Sequence, residues 1–120
     1  MAGEGFAAPG AISGWHAHIY YDPATTRAAA ARLREGIAAA FPAAVLGRWH
    51  DAKVGPHPQA MYQVAFAPDL FPSLVPWLAL NRAGLTVLVH PETGRQKADH
   101  LEHALWLGAV LALDASVLPD

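Results

Sequence analysis

Two histidines stand one residue apart in the segment GWHAHIYYD, which spans residues 14–22. Side chains alternate between the two faces of an extended strand, so His16 and His18 share a face with Tyr20. Because their Cα atoms would lie roughly 6.6 Å apart, both imidazole rings can reach one metal ion. A half-exposed strand whose histidines bind nothing has the same pattern, so the rest of the chain must decide between the two interpretations.

The composition limits the ligands of such a metal site. The chain has no cysteine, which excludes disulfides, thiolate ligands and a cysteine nucleophile. Seven histidines are dispersed through a chain that has only eight lysines and arginines. A metal would therefore be held by histidine or carboxylate side chains. The lack of cysteine also leads us to expect a cytoplasmic location.

Length, charge and hydropathy indicate a single domain that binds neither nucleic acid nor a membrane. A chain of 120 residues, 53% of them hydrophobic, fits one domain with a core of its own. The net charge is −2 and no basic run is present, which argues against polyanionic partners. No apolar stretch reaches the roughly 18 residues that span a membrane. We expect a flexible N-terminal tail over residues 1–13 and a single domain over residues 14–120.

Strands and helices alternate along the predicted domain. Strands are predicted at residues 14–22, 44–50, 59–67 and 85–90. Helices are predicted at residues 23–41, 69–84 and 99–108. A capping box of Asp99 and Glu102 would open the last helix.

The order βαββαβ, followed by a C-terminal helix, matches the ferredoxin-like plan of the α+β class. We therefore expect a four-stranded antiparallel sheet with helices on one face. In this plan strands one and three are expected in the centre, running parallel to each other, with strand four beside strand one and strand two beside strand three. A second copy of the chain would cover the open face, which predicts a homodimer.

With these strand directions, residues from four elements meet at one edge of the sheet. They come from the starts of strands one and three and from the ends of strands two and four: His16, His18, Arg48, His50, His57 and His90. Scattered histidines would seldom converge in this way, so the topology favours a metal site. A dimer that stacks its open faces would enclose that site.

Four motifs in this order, HAHIYY, GPHP, NRAGLTVLVHPETG and DHLEHALWLG, resemble the DOPA 4,5-dioxygenase family of fungal and bacterial ring-cleaving enzymes. The similarity extends from about residue 14 to residue 118. The resemblance implies that O2 and a small aromatic molecule, L-DOPA or a related catechol, react to give a muconic semialdehyde. The histidines of the family correspond to these positions: His16, His18, His57, His90 and His100.

The implied chemistry requires metal ligands and an acid or base. Extradiol cleavage uses Fe(II) with open positions for the catechol and O2, which leaves room for about three protein ligands. Three of four histidines would hold the metal, and the fourth would act as an acid or base beside the catecholate. The four candidates are His16, His18, His57 and His90. Zinc or another divalent metal would bind the same set.

Other polar residues have expected roles around this metal. His100 is a candidate for proton transfer, and Tyr20 for a hydrogen bond to the substrate or to bound oxygen. Arg48 could bind a substrate carboxylate through two hydrogen bonds, with His50 beside it as a second substrate-binding residue.

Two functions of other classes fit the same residues. One is a non-catalytic module that binds a metal, such as zinc, or a small molecule. The other is a metal-assisted hydrolase or isomerase that works through a bound water. Only the dioxygenase consumes oxygen, so oxygen uptake separates it from both alternatives.

Overall fold

A five-stranded antiparallel sheet forms the centre of the fold in the computed structural model, which describes residues 5–120. The strands are β1 Gly14–Tyr21, β2 Val45–Leu46, β3 Ala60–Phe66, β4 Val87–Glu92 and β5 Leu105–Leu107. The helices are α1 Arg27–Ala40, α2 Phe71–Asn81 and α3 Gln96–Leu101. The strand order is β2-β3-β1-β4-β5. The predicted α+β class and the order of the first four strands are thus confirmed.

The main core lies between one face of the sheet and the helices α1 and α2. Strand β1 is typical of the alternation, since its odd-numbered residues pack against the helices while its even-numbered histidines and Tyr20 lie on the other face. The fully buried core side chains include Ile19 of β1, Ile37 of α1 and Leu78 of α2. This core fixes the strands whose opposite face carries the histidines.

The opposite face of the sheet has a smaller core of its own. Tyr20, Met61 and Leu88 are buried there. They are covered in part by residues from the loop before β3 and from the C-terminal segment: Val54, Ala104, Trp106, Leu111 and Leu113. The chain therefore covers part of the face for which a second copy was expected, and the homodimer stays a prediction.

The expectation that strands one and three run parallel is wrong. Strand β1 pairs with β3 antiparallel, with Trp15 opposite Phe66 and Tyr21 opposite Ala60. The crossover through α1 sets β2 parallel to β1, and β3 pairs antiparallel with the strand before it, so β3 must run opposite to both. The start of β3 therefore lies beside the end of β1, at the opposite end of the strands from His16.

The predicted helix at residues 99–108 is a helix followed by a strand. The helix α3 begins at Gln96, so Asp99 lies inside it and does not form an N-terminal capping box. The chain then turns and adds β5 to the free edge of β4, with Leu107 opposite Val87. Pairing at this edge satisfies backbone groups of β4 that would otherwise be exposed.

The N-terminal segment ends against β4. Residues 1–4 of the predicted tail lie outside the described residues, and Pro9–Ala11 form a 3₁₀ turn. The backbone N–H and the hydroxyl of Ser13 both donate hydrogen bonds to the Glu92 carbonyl, at 2.9 and 3.0 Å. No helix within residues 5–120 is long and apolar enough to cross a membrane.

Two leucines of α2 provide a test of this packing. Leu78 is fully buried, whereas Leu80 is 86% exposed. We expect Leu78→Ala to lower the free energy of unfolding by about 2–5 kcal/mol, because it removes buried methyl groups and leaves a cavity. The matched control Leu80→Ala should change it by less than about 0.5 kcal/mol in urea unfolding. Equal losses in both variants would contradict the placement of α2.

Candidate active site

Five histidines meet on the face of the sheet opposite α1 and α2. His16 and His18 come from β1, His90 from β4, His100 from α3, and His57 from the loop between β2 and β3. All except His16 are less than one-tenth exposed, and His90 is fully buried. These five residues form the histidine cluster.

The imidazole rings of the histidine cluster lie in contact with one another. His90 and His100 have ring centroids 4.0 Å apart, and His18 and His57 have centroids 4.2 Å apart. The centroids of His16 and His18 lie 5.2 and 5.1 Å from that of His90. The predicted metal ligands and the predicted proton-transfer residue thus share one site.

Strand pairing places three members of the cluster. His16 lies directly opposite His90 in the register of β1 and β4, and opposite residues of an antiparallel pair share a face. His18, two residues further along β1, points to the same face. The prediction that His16, His18 and His90 meet is confirmed.

His57 reaches the cluster along a different route from the one expected. It does not lie at the edge where β1 starts, because β3 begins at the other edge. Its loop crosses the open face instead, and the Nδ1 of His57 lies 2.7 Å from the hydroxyl of Tyr20. The same loop is anchored to β1 and α1 by Asp51, which accepts hydrogen bonds from the Tyr21 hydroxyl and from Arg27 Nε.

A buried carboxylate positions His100. Asp99, fully buried, accepts hydrogen bonds from the backbone N–H and the hydroxyl of Thr93, at 2.8 and 2.7 Å, and lies 3.0 Å from His103 Nδ1. These bonds fasten α3 to the loop that follows β4. Although burial opposes it, the hydrogen bonds from Thr93 hold the pKa of Asp99 below its usual range.

Backbone carbonyls fix the tautomers of two histidines. A carbonyl can only accept, so His90 donates Nδ1–H to the Pro91 carbonyl and His100 donates Nδ1–H to the Gln96 carbonyl, at 3.0 and 2.8 Å. In the neutral form each ring then has an unprotonated Nε2. At the edge of the cluster, the Nε2 of His16 lies 3.0 Å from a Glu92 carboxylate oxygen, which favours a proton on that nitrogen.

His18 has a ring nitrogen without a partner. Its Nε2 lies 3.0 Å from the unprotonated Nε2 of His90, so His18 is the donor in that pair. The Nδ1 of His18 is then an unprotonated nitrogen, buried and without a hydrogen-bond partner within residues 5–120. Such a nitrogen is rare in a folded protein, and a metal ion would satisfy it.

Two sets of three histidines have the spacing of metal ligands. Ring nitrogens of His16, His18 and His90 lie within 4.8 Å of one another, and the same is true of His18, His57 and His100. His18 belongs to both sets. The residues of the cluster therefore fit a metal ion bound by three imidazoles, the donor type that suits iron, zinc and copper.

The electrostatics of the site favour the neutral form of four histidines: His16, His18, His57 and His90. Burial lowers the pKa of His57 to about 4 and that of His90 to about 3. Burial and the neighbouring rings lower the pKa of His18 well below 6.5. Burial also lowers the pKa of His16, although the carboxylate of Glu92 opposes this. Unprotonated imidazoles at neutral pH are the form that binds a metal.

A pocket of about 250 Å³ opens onto the histidine cluster. Its lining consists mainly of polar side chains: His16, His18, Pro56, His57, Gln63, Glu92, Gln96, His100 and Leu118. Three of these residues, Glu92, Gln63 and Gln96, were not predicted from the sequence. Glu92 belongs to the quoted HPETG motif, and Gln63 lies opposite His18 in the sheet, a pairing that only the register of β3 reveals.

Three residues expected in the site do not line the pocket. Arg48 is exposed, and His50 pairs with Met61, far along β3 from the edge where β1 starts. Their placement there depended on the wrong direction of strand three. Tyr20 is buried, with its hydroxyl on His57. A larger, mostly apolar cavity of about 340 Å³ lies between the N-terminal segment and Leu105, away from the histidine cluster.

Known proteins resemble the chain along most of its length. The model of the Dopa 4,5-dioxygenase family matches residues 15–117. The chain is 38% identical over 111 residues to an uncharacterised 21.2 kDa protein of Botryotinia fuckeliana, and 34% identical over 115 residues to a DOPA 4,5-dioxygenase of Amanita muscaria. These matches take in 84% and 90% of this chain but 61% and 50% of the relatives. The chain thus spans about half to three-fifths of their length.

A solved structure resembles the whole fold. It is the crystal structure of a protein from Nostoc punctiforme, provisionally described as a dioxygenase. The two chains are 54% identical and superpose with a TM-score of 0.90, over 93% of this chain and 96% of the other.

The lowered pKa values predict that the metal-free protein loses stability in acid. A histidine of the unfolded chain has a pKa near 6.5, whereas in the fold the pKa of His57 is about 4 and that of His90 about 3. Between these limits the unfolded state binds more protons, so the free energy of unfolding rises with pH. We expect it to fall steadily as the pH is lowered from 6.5 to 4 in urea titrations. The dependence should be shallower in His57→Gln, and a free energy that rises on acidification would contradict the assignment.

Proposed function

Because this chain belongs to the Dopa 4,5-dioxygenase family, we propose that it is a metal-dependent extradiol dioxygenase. Its substrate would be L-DOPA or a related catechol, cleaved with O2 to a muconic semialdehyde. The observation that carries the proposal is the buried nitrogen of His18, which has no hydrogen-bond partner within residues 5–120 and lies among neutral imidazoles.

Fe(II) is the proposed metal, held by three histidines that include His18. When bound, it would supply open positions for the catechol oxygens and O2 and the electron transfer between them. Zinc or another divalent ion can occupy the same imidazoles in purified protein. The partners of Nδ1 in His90 and His100 orient these rings, as outer hydrogen bonds commonly do at metal sites.

The pocket has the size and polarity for a single aromatic ring. Its volume of about 250 Å³ lies just below the range of roughly 300–1,000 Å³ that holds drug-sized ligands. The amides of Gln63 and Gln96 offer hydrogen bonds to substrate oxygens. The unprotonated Nε2 of His100 can accept a proton from a catechol hydroxyl, because Nδ1 of that ring donates to the Gln96 carbonyl.

The two alternatives from the sequence analysis use the same cluster. A zinc-binding module would hold metal without consuming a substrate, and a metal-assisted hydrolase would turn over without oxygen. We favour the dioxygenase because both the family and the structural relative point to oxygen chemistry. The cytoplasmic location stays a prediction.

Oxygen uptake tests the proposal. Protein loaded anaerobically with Fe(II) and L-DOPA should consume oxygen when air is admitted, and a yellow semialdehyde band should grow with it. His18→Gln should lose both metal binding and oxygen uptake, since His18 belongs to both ligand sets. The matched control is His103→Gln, which replaces a half-exposed histidine outside the pocket and should retain both.

Three results would count against this proposal. Iron-loaded, folded protein that consumes no oxygen with L-DOPA or simple catechols would favour the binding module. Turnover of a substrate in the absence of oxygen would favour the hydrolase. A His18→Gln variant with full metal content would show that the histidine cluster does not hold the metal.

Glu92 offers a milder perturbation of the same site. Its carboxylate lies 3.0 Å from the Nε2 of His16, and such a partner makes the opposite ring nitrogen a stronger ligand. We expect Glu92→Gln to keep the fold but to weaken metal binding about 10-fold or more, because the amide lacks the negative charge. Competition with a chelator measures this affinity, and an unchanged affinity would show that His16 is not a ligand.

A further inference from the structure

We infer that Tyr20 holds His57 in the tautomer that carries its proton on Nε2, so that His57 presents an N–H donor to the pocket and does not bind the metal. Tyr20 is then a positioning residue that acts through His57. The inference rests on the proposed function insofar as the pocket binds a metal and a catechol.

The contact between Tyr20 and His57 is buried. Tyr20 is 1% exposed and His57 6%. The Tyr20 hydroxyl lies 2.7 Å from His57 Nδ1, and it has no other hydrogen-bond partner within the part of the chain that the structure describes. Met61 and Leu88 pack with Tyr20 in the small core of this face.

The direction of this hydrogen bond follows from counting donors. If His57 donated Nδ1–H to Tyr20, the phenolic proton would be buried without an acceptor, at a cost of about 1–3 kcal/mol. If Tyr20 donates to Nδ1, both buried groups are satisfied. The second arrangement is therefore favoured, and in neutral His57 it leaves the proton on Nε2.

The partners of two other histidines, His90 and His100, impose the opposite tautomer. His90 and His100 donate Nδ1–H to backbone carbonyls and keep an unprotonated Nε2. His57 faces a hydroxyl donor instead, and it lines the pocket with the opposite tautomer. His18 also carries its proton on Nε2, but its Nδ1 has no hydrogen-bond partner within residues 5–120, whereas the Nδ1 of His57 accepts a hydrogen bond from Tyr20. This occupied nitrogen distinguishes His57 from the proposed ligand His18.

This assignment selects one of the two ligand sets. The set of His18, His57 and His100 needs an unprotonated nitrogen from His57, and the only one it has is engaged by Tyr20. The set of His16, His18 and His90 needs no nitrogen of His57. Within this set the Nε2 of His90 accepts a hydrogen bond only from His18, a member of the same set, and a bound ion would take the place of that hydrogen bond. The metal is therefore assigned to His16, His18 and His90, and His57 is left to donate a hydrogen bond to an oxygen of the bound substrate. A donor placed in advance stabilises negative charge that develops on that oxygen.

Nitrogen-15 NMR of the metal-free protein tests the tautomer directly. Long-range proton–nitrogen correlations, assigned with His57→Gln, should show the proton of His57 on Nε2. Tyr20→Phe should mix in the Nδ1–H form. The matched control is Tyr62→Phe, which removes another buried hydroxyl, bonded to the Ala30 carbonyl, and should leave His57 unchanged. A proton on Nδ1 in the wild type, or no change in Tyr20→Phe, would overturn the inference.

Titration with Co(II), followed by its visible absorption, tests the ligand set. His57→Gln should bind one Co(II) per chain with a dissociation constant within about threefold of the wild type, a change worth less than about 1 kcal/mol. His90→Gln should lose the spectrum. Loss of Co(II) binding in His57→Gln would make His57 a ligand and overturn the inference.

Neither measurement uses a catechol, so the inference and the proposed function fail separately. Protein that shows the expected tautomer and Co(II) stoichiometry but no ring cleavage would disprove the function and leave the inference standing. Protein that cleaves L-DOPA while His57 carries its proton on Nδ1 would support the function and disprove the inference. If the wild type binds no Co(II), the ligand assignment is wrong whatever the tautomer.

Discussion

The burial of His18 in the middle of β1 is the constraint on which the site depends. A buried nitrogen without a partner costs about 1–3 kcal/mol, yet the Nδ1 of His18 has none within residues 5–120. The hydrophobic core on the other face of the sheet must offset this cost in the metal-free protein. A bound ion would remove it, so metal binding is expected to stabilise the fold as well as to equip the site. His18 therefore affects both the stability of the fold and the proposed binding of a metal.

The two faces of the sheet have different roles. Helices α1 and α2 bury apolar side chains on one face and hold the strands in register. The opposite face is covered by shorter segments, each fastened by a few polar contacts: Asp51 anchors the loop that carries His57, and Asp99 anchors the helix that carries His100. Rigid strands thus supply His16, His18 and His90, while tethered segments supply the residues that complete the pocket.

The sequence predicts the part of the site that rests on local patterns. The alternation in HAHIYY and the apolar strand that ends at His90, combined with the predicted placement of strand four beside strand one, bring His16, His18 and His90 together. The route of His57 was predicted wrongly because strand three was given the wrong direction, although the crossover through α1 and the antiparallel pairing of β2 with β3 determine that direction. Arg48 was placed wrongly for the same reason. The roles of Asp99 and Glu92 depend on tertiary contacts that the sequence does not reveal. Asp99 resembles a helix cap in the sequence, but it lies inside α3 and accepts hydrogen bonds from Thr93.

The position of the metal tests the central claim most directly. Crystals soaked anaerobically with Fe(II), with diffraction recorded at the iron absorption edge, would locate it by anomalous scattering. The account predicts one strong peak about 2.0–2.2 Å from ring nitrogens of His16, His18 and His90, with His57 nearby but not bound. A peak bound to His57 and His100 would contradict the ligand assignment. Iron found only at exposed histidines such as His103 would contradict the metal centre itself.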